Sequence, residues 1–147
     1  MRVVAMLAAA ALVSTVMFTA WALYITLVEH PARVASGASA GRAQFRPSYQ
    51  RASPWQASFA AIALLSGTAT ATLTGQWTWL AGALAVGAVI PLTLMVIRPT
   101  NQQLLGAEPL ADAETLRLLD RWGRLHAVRT VLGAAGLLVF LYALRTR

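Results

Sequence analysis

Residues 3–28 contain no charged side chain. A run this long and apolar suffices to cross a bilayer, which takes roughly 20 residues of helix. Inside lipid a segment must satisfy its own backbone hydrogen bonds, so such a run has to be helical. Three further runs are long and apolar enough to do the same, at about residues 55–73, 77–97 and 123–144. Together they predict an all-α chain: an integral membrane, up-and-down four-helix bundle forming a single domain over residues 1–147. Thr74-Gly75-Gln76 leaves room only for a tight turn, which makes the second and third spans an antiparallel hairpin. Pro91 predicts a kink in the third span, and Pro31 predicts that the first helix ends near Glu29.

Between the spans, residues 34–53 are rich in Gly, Ser, Ala and Arg. They read as a loop outside the membrane with a short interfacial helix near residues 45–51. Residues 100–110 read as a second polar loop. A last helix capped by Asp112 or a near neighbour, with Glu114 in its first turn, would run about 50 Å to Leu144. That exceeds a hydrocarbon core of about 30 Å, so this helix is expected to extend beyond the membrane. Trp21, Tyr24, Trp55, Trp77 and Trp79 fall near span ends, where amphipathic rings anchor at the interface.

Composition agrees with membrane residence. Hydrophobic residues make up 58% and charged ones 12%, against roughly 25% charged in soluble domains. The net charge of +7 comes from twelve arginines with no lysine. These arginines flank apolar runs, which marks them as topology signals and lipid-headgroup contacts instead of a nucleic-acid surface. Nine of them (Arg33, Arg42, Arg46, Arg51, Arg98, Arg117, Arg121, Arg124 and Arg129) fall on the side of the two long loops; Arg2, Arg145 and Arg147 fall on the other. The positive-inside rule then puts the loops in the cytoplasm and both termini outside, in a bacterial inner membrane. Cysteine is absent, which removes disulfides, thiolate catalysis and cysteine-held metals or clusters.

Polar chemistry gathers at one end of the bundle. Trp122, His126, Arg129 and Gly133 are spaced by four, three and four residues, a single stripe on a helix. Glu29, His30 and Arg33 follow the first span, and Asn101 follows the third. Charged and ionisable groups at membrane depth are costly unless they face a bundle interior, so these residues should converge. Glu29 can pair with Arg33 or Arg129, either to orient a ligand or simply to hold two charges near lipid. His126 suits a general base and equally an interfacial residue. Asn101 can hydrogen-bond a ligand or end a helix. Trp122 can stack on an aromatic ligand, although an interfacial anchor is the commoner role. No HxxxH or ExxH spacing supports metal binding by Glu29, His30 and His126, so no metal is expected.

Three motifs resemble those of a widespread group of small bacterial membrane proteins, long described as a domain of unknown function. They are Glu29-His30-Pro31-Ala32-Arg33, Pro99-Thr100-Asn101-Gln102-Gln103-Leu104, and the run from Arg121 through Trp122, His126 and Arg129 to Thr130. The superfamily of that group includes the anthrone oxygenases of polyketide pathways. The resemblance spans the chain from first helix to last. It implies a four-helix membrane protein, and an oxygenase needing no metal or flavin that acts on a hydrophobic phenolic or quinone-like molecule. His126 or Glu29 would then be the base and Arg129 the anion partner, with Asn101 and Trp122 positioning the substrate and His30 and Arg33 completing the ligand contacts.

A second reading keeps the cluster without catalysis: a membrane protein that binds lipid, a small hydrophobic ligand or a protein partner. An enclosed pocket lined by Glu29, Asn101, His126 and Arg129 and reachable from lipid would favour the enzyme. Side chains that pair off and fill the space would favour the second reading. Transport is weaker, since no internal repeat and no mid-span charge is present. Gly82, Gly87, Gly133 and Gly136 suit close helix packing, within the bundle or in a homo-oligomer.

Overall fold

The computed structural model describes residues 1–146. Four helices account for nearly all of them: α1 (Arg2–Ala35), α2 (Ala38–Thr74), α3 (Trp77–Leu105) and α4 (Asp112–Arg145), each long and apolar enough to span a membrane. Among the described residues there is no strand. Each helix packs on its neighbours in sequence, α4 closes back on α1, and α2 touches α4 across the diagonal. The result is an up-and-down bundle and a multi-pass membrane protein.

Packing is inside-out relative to a soluble bundle. The inner face is built from small residues such as Ala8, Ala11, Ala63 and Ala83 around Phe18, Trp79 and Phe140. Leu65, Leu84, Val131 and Leu138 point outward. Lipid solvates large apolar side chains as well as a core does, so helix association there depends on close approach between small residues. The glycines are used within the bundle: a Cβ added at Gly82 or Gly67 would run into the Phe140 ring, and one at Gly136 into Val86.

Three expectations about the connections need correction. The region 34–53 is not a loop. Helix α2 begins at Ala38 and runs through both Pro47 and Pro54, leaving only Ser36 and Gly37 as the turn, with Gly37 at φ 87°. Its Ala and Arg residues are good helix formers, and its polarity reflects a helix beyond the hydrocarbon instead of missing structure. Helix α1 likewise passes Pro31 and ends at Ala35, and α3 continues to Leu105. All four helices therefore carry a polar extension at one end, not α4 alone. A second core fills that extension, made of Ile25, Phe45, Ile97, Leu104, Leu118, Leu119 and Trp122. Ala111, the neighbour of Asp112, is the N-cap of α4, with Asp112 and Glu114 in the first turn.

Two widened turns join the membrane part to this extension. Ile25–Glu29 in α1 and Leu92–Ile97 in α3 are π-helical. A proline lacks an N–H and its ring crowds the carbonyl four residues earlier. For Pro31 that carbonyl belongs to Leu27, and for Pro99 to Met95, each inside a widened segment. Such π turns recur at functional sites because they re-aim the residues that follow. Here the residues that follow are His30 and Arg33 on α1, and Asn101 on α3. The α3 ladder is also irregular at Ala88, before Pro91.

Candidate functional site

Trp122 is the hub of the polar end. It is 6% exposed, so it is a core residue and not the interfacial anchor its position suggests. Trp79 departs from expectation in the same way, being fully buried against Phe140, whereas Trp55 and Trp77 are exposed. The Trp122 indole N–H donates to Asn101 Oδ1 at 2.8 Å, and Asn101 Nδ2 donates to Tyr49 Oη at 3.3 Å. His126 stacks on the indole with ring centroids 4.7 Å apart; His30 lies at 5.3 Å and Phe45 meets it edge-on at 5.2 Å. The Arg33 guanidinium sits 5.4 Å from the Trp122 ring and 5.3 Å from that of Phe45. Gly123 makes this possible, because any Cβ there would overlap the His30 imidazole. The residues named from sequence thus meet, drawn from α1, α3 and α4, with α2 adding Phe45, Tyr49 and Gln56.

They then divide into two groups. Glu29 and Arg33 are tied to each other. Arg33 Nη2 lies 2.5 Å from Glu29 Oε1; Gln44 and Ser48 also donate to that oxygen, and Arg33 Nε donates to Gln44. Arg33 is 4% exposed. A buried guanidinium requires such a partner, so this network accounts for Glu29 as a counter-ion and leaves it poorly placed to act as a base. Asn101 is also fully engaged, holding Trp122 and Tyr49. Among the described residues no three of His, Asp and Glu gather closely enough to share a metal ion.

His126 and Arg129 form the second group. His126 is 2% exposed, which removes the interfacial reading. Its Nδ1 lies 3.1 Å from Thr26 Oγ1, which lies 2.8 Å from Thr130 Oγ1. A hydroxyl pair can pass its hydrogen bonds in either direction, so it serves either imidazole tautomer. His126 Nε2 is buried and has no partner among the described residues. Arg129 Nη2 donates to Gln56 Oε1 at 2.7 Å, and its guanidinium lies over the Phe18 ring. Arg129 has no carboxylate partner among the described residues.

Two spaces meet at this pair. An internal cavity of about 20 Å³ is lined by Arg33, Phe45, Tyr49, Gln56, Trp122, His126 and Arg129, room for about one water. A groove of about 510 Å³ lies between α2 and α3, walled by Ala57, Ala60, Ala61, Val89, Ile90 and Leu94. Ala57 and Leu94 are exposed, so the groove opens on the outside of the bundle, between two helices that are apolar enough to span a membrane. It forms where small alanines on α2 stand opposite the irregular stretch of α3 around Pro91. Tyr49, Ser53, Gln56 and Arg129 border both spaces and form the wall between them.

The sequence places Tyr49 and Gln56 at this end without singling them out. Gln56 carries a usable signal, being an amide in the opening turn of an apolar span. Thr26 and Thr130 give none beyond the spacing of Thr130 four residues after His126.

A family model described as anthrone oxygenase matches residues 45–139. The chain belongs to the anthrone oxygenase family. The matched stretch holds Tyr49, Gln56, Asn101, Trp122, His126 and Arg129, and so every residue at the wall between cavity and groove. Glu29, His30 and Arg33 precede it. No curated protein and no solved structure matched the chain.

Proposed function

We propose that the protein is a membrane oxygenase that takes a flat, hydrophobic phenolic molecule such as an anthrone from the lipid. The observation that carries this reading is the lipid-open groove, which ends at Arg129 and Gln56 with the unpartnered Nε2 of His126 behind them. Its volume falls in the range of small-molecule sites, with mainly apolar walls and a few polar groups at one end. An anthrone in its enol form would lay its rings between α2 and α3 and direct its O–H inward.

In this scheme His126 Nε2 accepts the O–H proton, and Arg129 and Gln56 stabilise the resulting anion. The anion gives one electron to dioxygen, leaving a neutral organic radical and superoxide. The two join through a carbon–oxygen bond to form a peroxide anion, which takes back the proton from the imidazolium. Loss of water from that hydroperoxide leaves the quinone. One dioxygen is consumed and one water released, with no external electron donor. Arg33, Asn101 and Trp122 hold the site in place, and Glu29 serves Arg33.

Purified protein in detergent, given an anthrone, should take up oxygen. His126→Ala should slow this about 10²–10⁴-fold, as for a lost general base. Arg129→Ala should slow it about 10²–10³-fold, as for a lost oxyanion partner. Unchanged rates in both folded variants would remove those roles.

The second reading, a binding protein without catalysis, draws on the pairing of Glu29 with Arg33 and of Asn101 with Trp122 and Tyr49. Ligand binding in the groove without oxygen uptake would favour it. We further infer, from the nine arginines at the polar end against three at the other, that this end faces the cytoplasm of an inner membrane. A reporter fused to the C-terminus should then be silent in the cytoplasm and active outside; the reverse pattern would invert the topology.

A further inference from the structure

Four residues lining the internal cavity each carry a buried nitrogen without a partner among the described residues: Arg33 Nη1, Gln56 Nε2, His126 Nε2 and Arg129 Nε. Three of these are N–H donors in every state, and His126 Nε2 is a fourth whenever the Thr26 hydroxyl donates to Nδ1. Side-chain nitrogens left unpaired at such depth are individually costly, and four of the side chains bordering this one space carry them. The charge is equally one-sided. Glu29 offsets Arg33, while Arg129, half-buried, faces no carboxylate among the described residues, and a cation withdrawn from water favours an anion beside it.

We propose that the cavity is a binding site for one monovalent anion of one or two heavy atoms, held by Arg33, Gln56, His126 and Arg129. Room for about one water favours a small anion over sulfate, phosphate or a carboxylate, and the unpaired donors favour an anion over a cation. A halide from solution and an oxygen-centred anion formed in a reaction share this chemistry. The site stands on its own geometry and does not depend on the oxygenase reading.

The test uses the full-length protein in a neutral detergent at constant ionic strength, with gluconate replaced stepwise by bromide. The midpoint of thermal unfolding should rise saturably with bromide, as expected for a ligand that binds only the folded state, and stay flat when sulfate is used instead. Gln56→Leu should raise the bromide concentration for half-effect at least tenfold. Arg129→Gln should abolish the effect, while Arg124→Gln, an exposed control, should retain it. If Arg129→Gln does not fold, Gln56→Leu alone decides. No bromide-specific rise, or one that survives unchanged in Gln56→Leu, overturns the proposal. Where oxygen uptake is also measurable, bromide competing with dioxygen identifies superoxide as the reaction's ligand for this site, and competition with the anthrone identifies the substrate oxygen. Both results leave the outcome of the unfolding measurement as it stands.

Discussion

Replacing Trp122 with alanine is expected to cost about 3–5 kcal/mol of bundle stability, the range for emptying a large aromatic from a packed core. The side chain touches residues of all four helices: His30 and Arg33 on α1, Phe45 on α2, Asn101 on α3 and His126 on its own helix. Its loss opens a void in the polar extension and leaves Asn101 Oδ1 without its donor, a further penalty where water cannot enter freely. The comparison is Trp55→Ala on the lipid-facing surface, which should stay within about 0.5 kcal/mol of wild type. Denaturant unfolding in detergent followed by circular dichroism separates the two. Equal midpoints would mean that Trp122 is an interfacial residue after all, and the site would have no packed centre.

Removing Glu29 should be nearly as damaging. The Arg33 side chain is 2% exposed and that of Glu29 is 17% exposed, so Glu29→Ala leaves a charged guanidinium buried beside Trp122. Breaking a buried pair from one side costs about 3–5 kcal/mol, whereas replacing both charges with apolar groups is often neutral. Glu29→Ala combined with Arg33→Met should therefore recover most of the stability lost in Glu29→Ala. The same pair of variants bears on function. If Glu29 only serves Arg33, the double variant keeps the groove and His126 intact and retains measurable oxygen uptake. A double variant as unstable as the single one would show that Glu29 acts through something other than the ion pair.

The membrane helices are legible in the sequence because lipid imposes a simple demand: long apolar runs with their hydrogen bonds internally satisfied. The polar extension is not legible by that criterion. Residues 38–54 carry Arg, Gln, Ser and two prolines, and the lack of an apolar run reads as a loop with no more than a short helix near 45–51. Their apolar contribution is confined to a few inward positions, Phe45 and Ala52 among them, too sparse to register beside a transmembrane run. Pro31 misleads for a related reason. Proline usually ends a helix, but here the turn before it widens and the chain continues.

The convergence of Glu29, His30, Arg33, Asn101, Trp122, His126 and Arg129 follows from a single cost, that of ionisable groups at membrane depth. Their division does not follow. The i to i+4 spacing of Glu29 and Arg33 favours a local pair on one helix, yet the choice between Arg33 and Arg129 depends on Gln44 and Ser48. Gln44 sits on a stretch of α2 that reads as loop in the sequence, and Ser48 on one that reads only as a short interfacial helix. The lipid-open groove is beyond reach for the same kind of reason, since it depends on which alanines of α2 face the irregular part of α3.

The central claim is that the site is entered from the lipid, between α2 and α3, and not from the water at the polar end. A photoactivatable anthrone analogue, cross-linked to the protein in bilayers and mapped by mass spectrometry, tests it most directly. Labelling should concentrate on the peptides containing Ala57, Ala61, Ile90 and Leu94, and Ala61→Trp should suppress it by filling the groove. Labelling that instead falls on Arg42, Leu110 and Asp112 at the polar end, and is indifferent to Ala61→Trp, would contradict it.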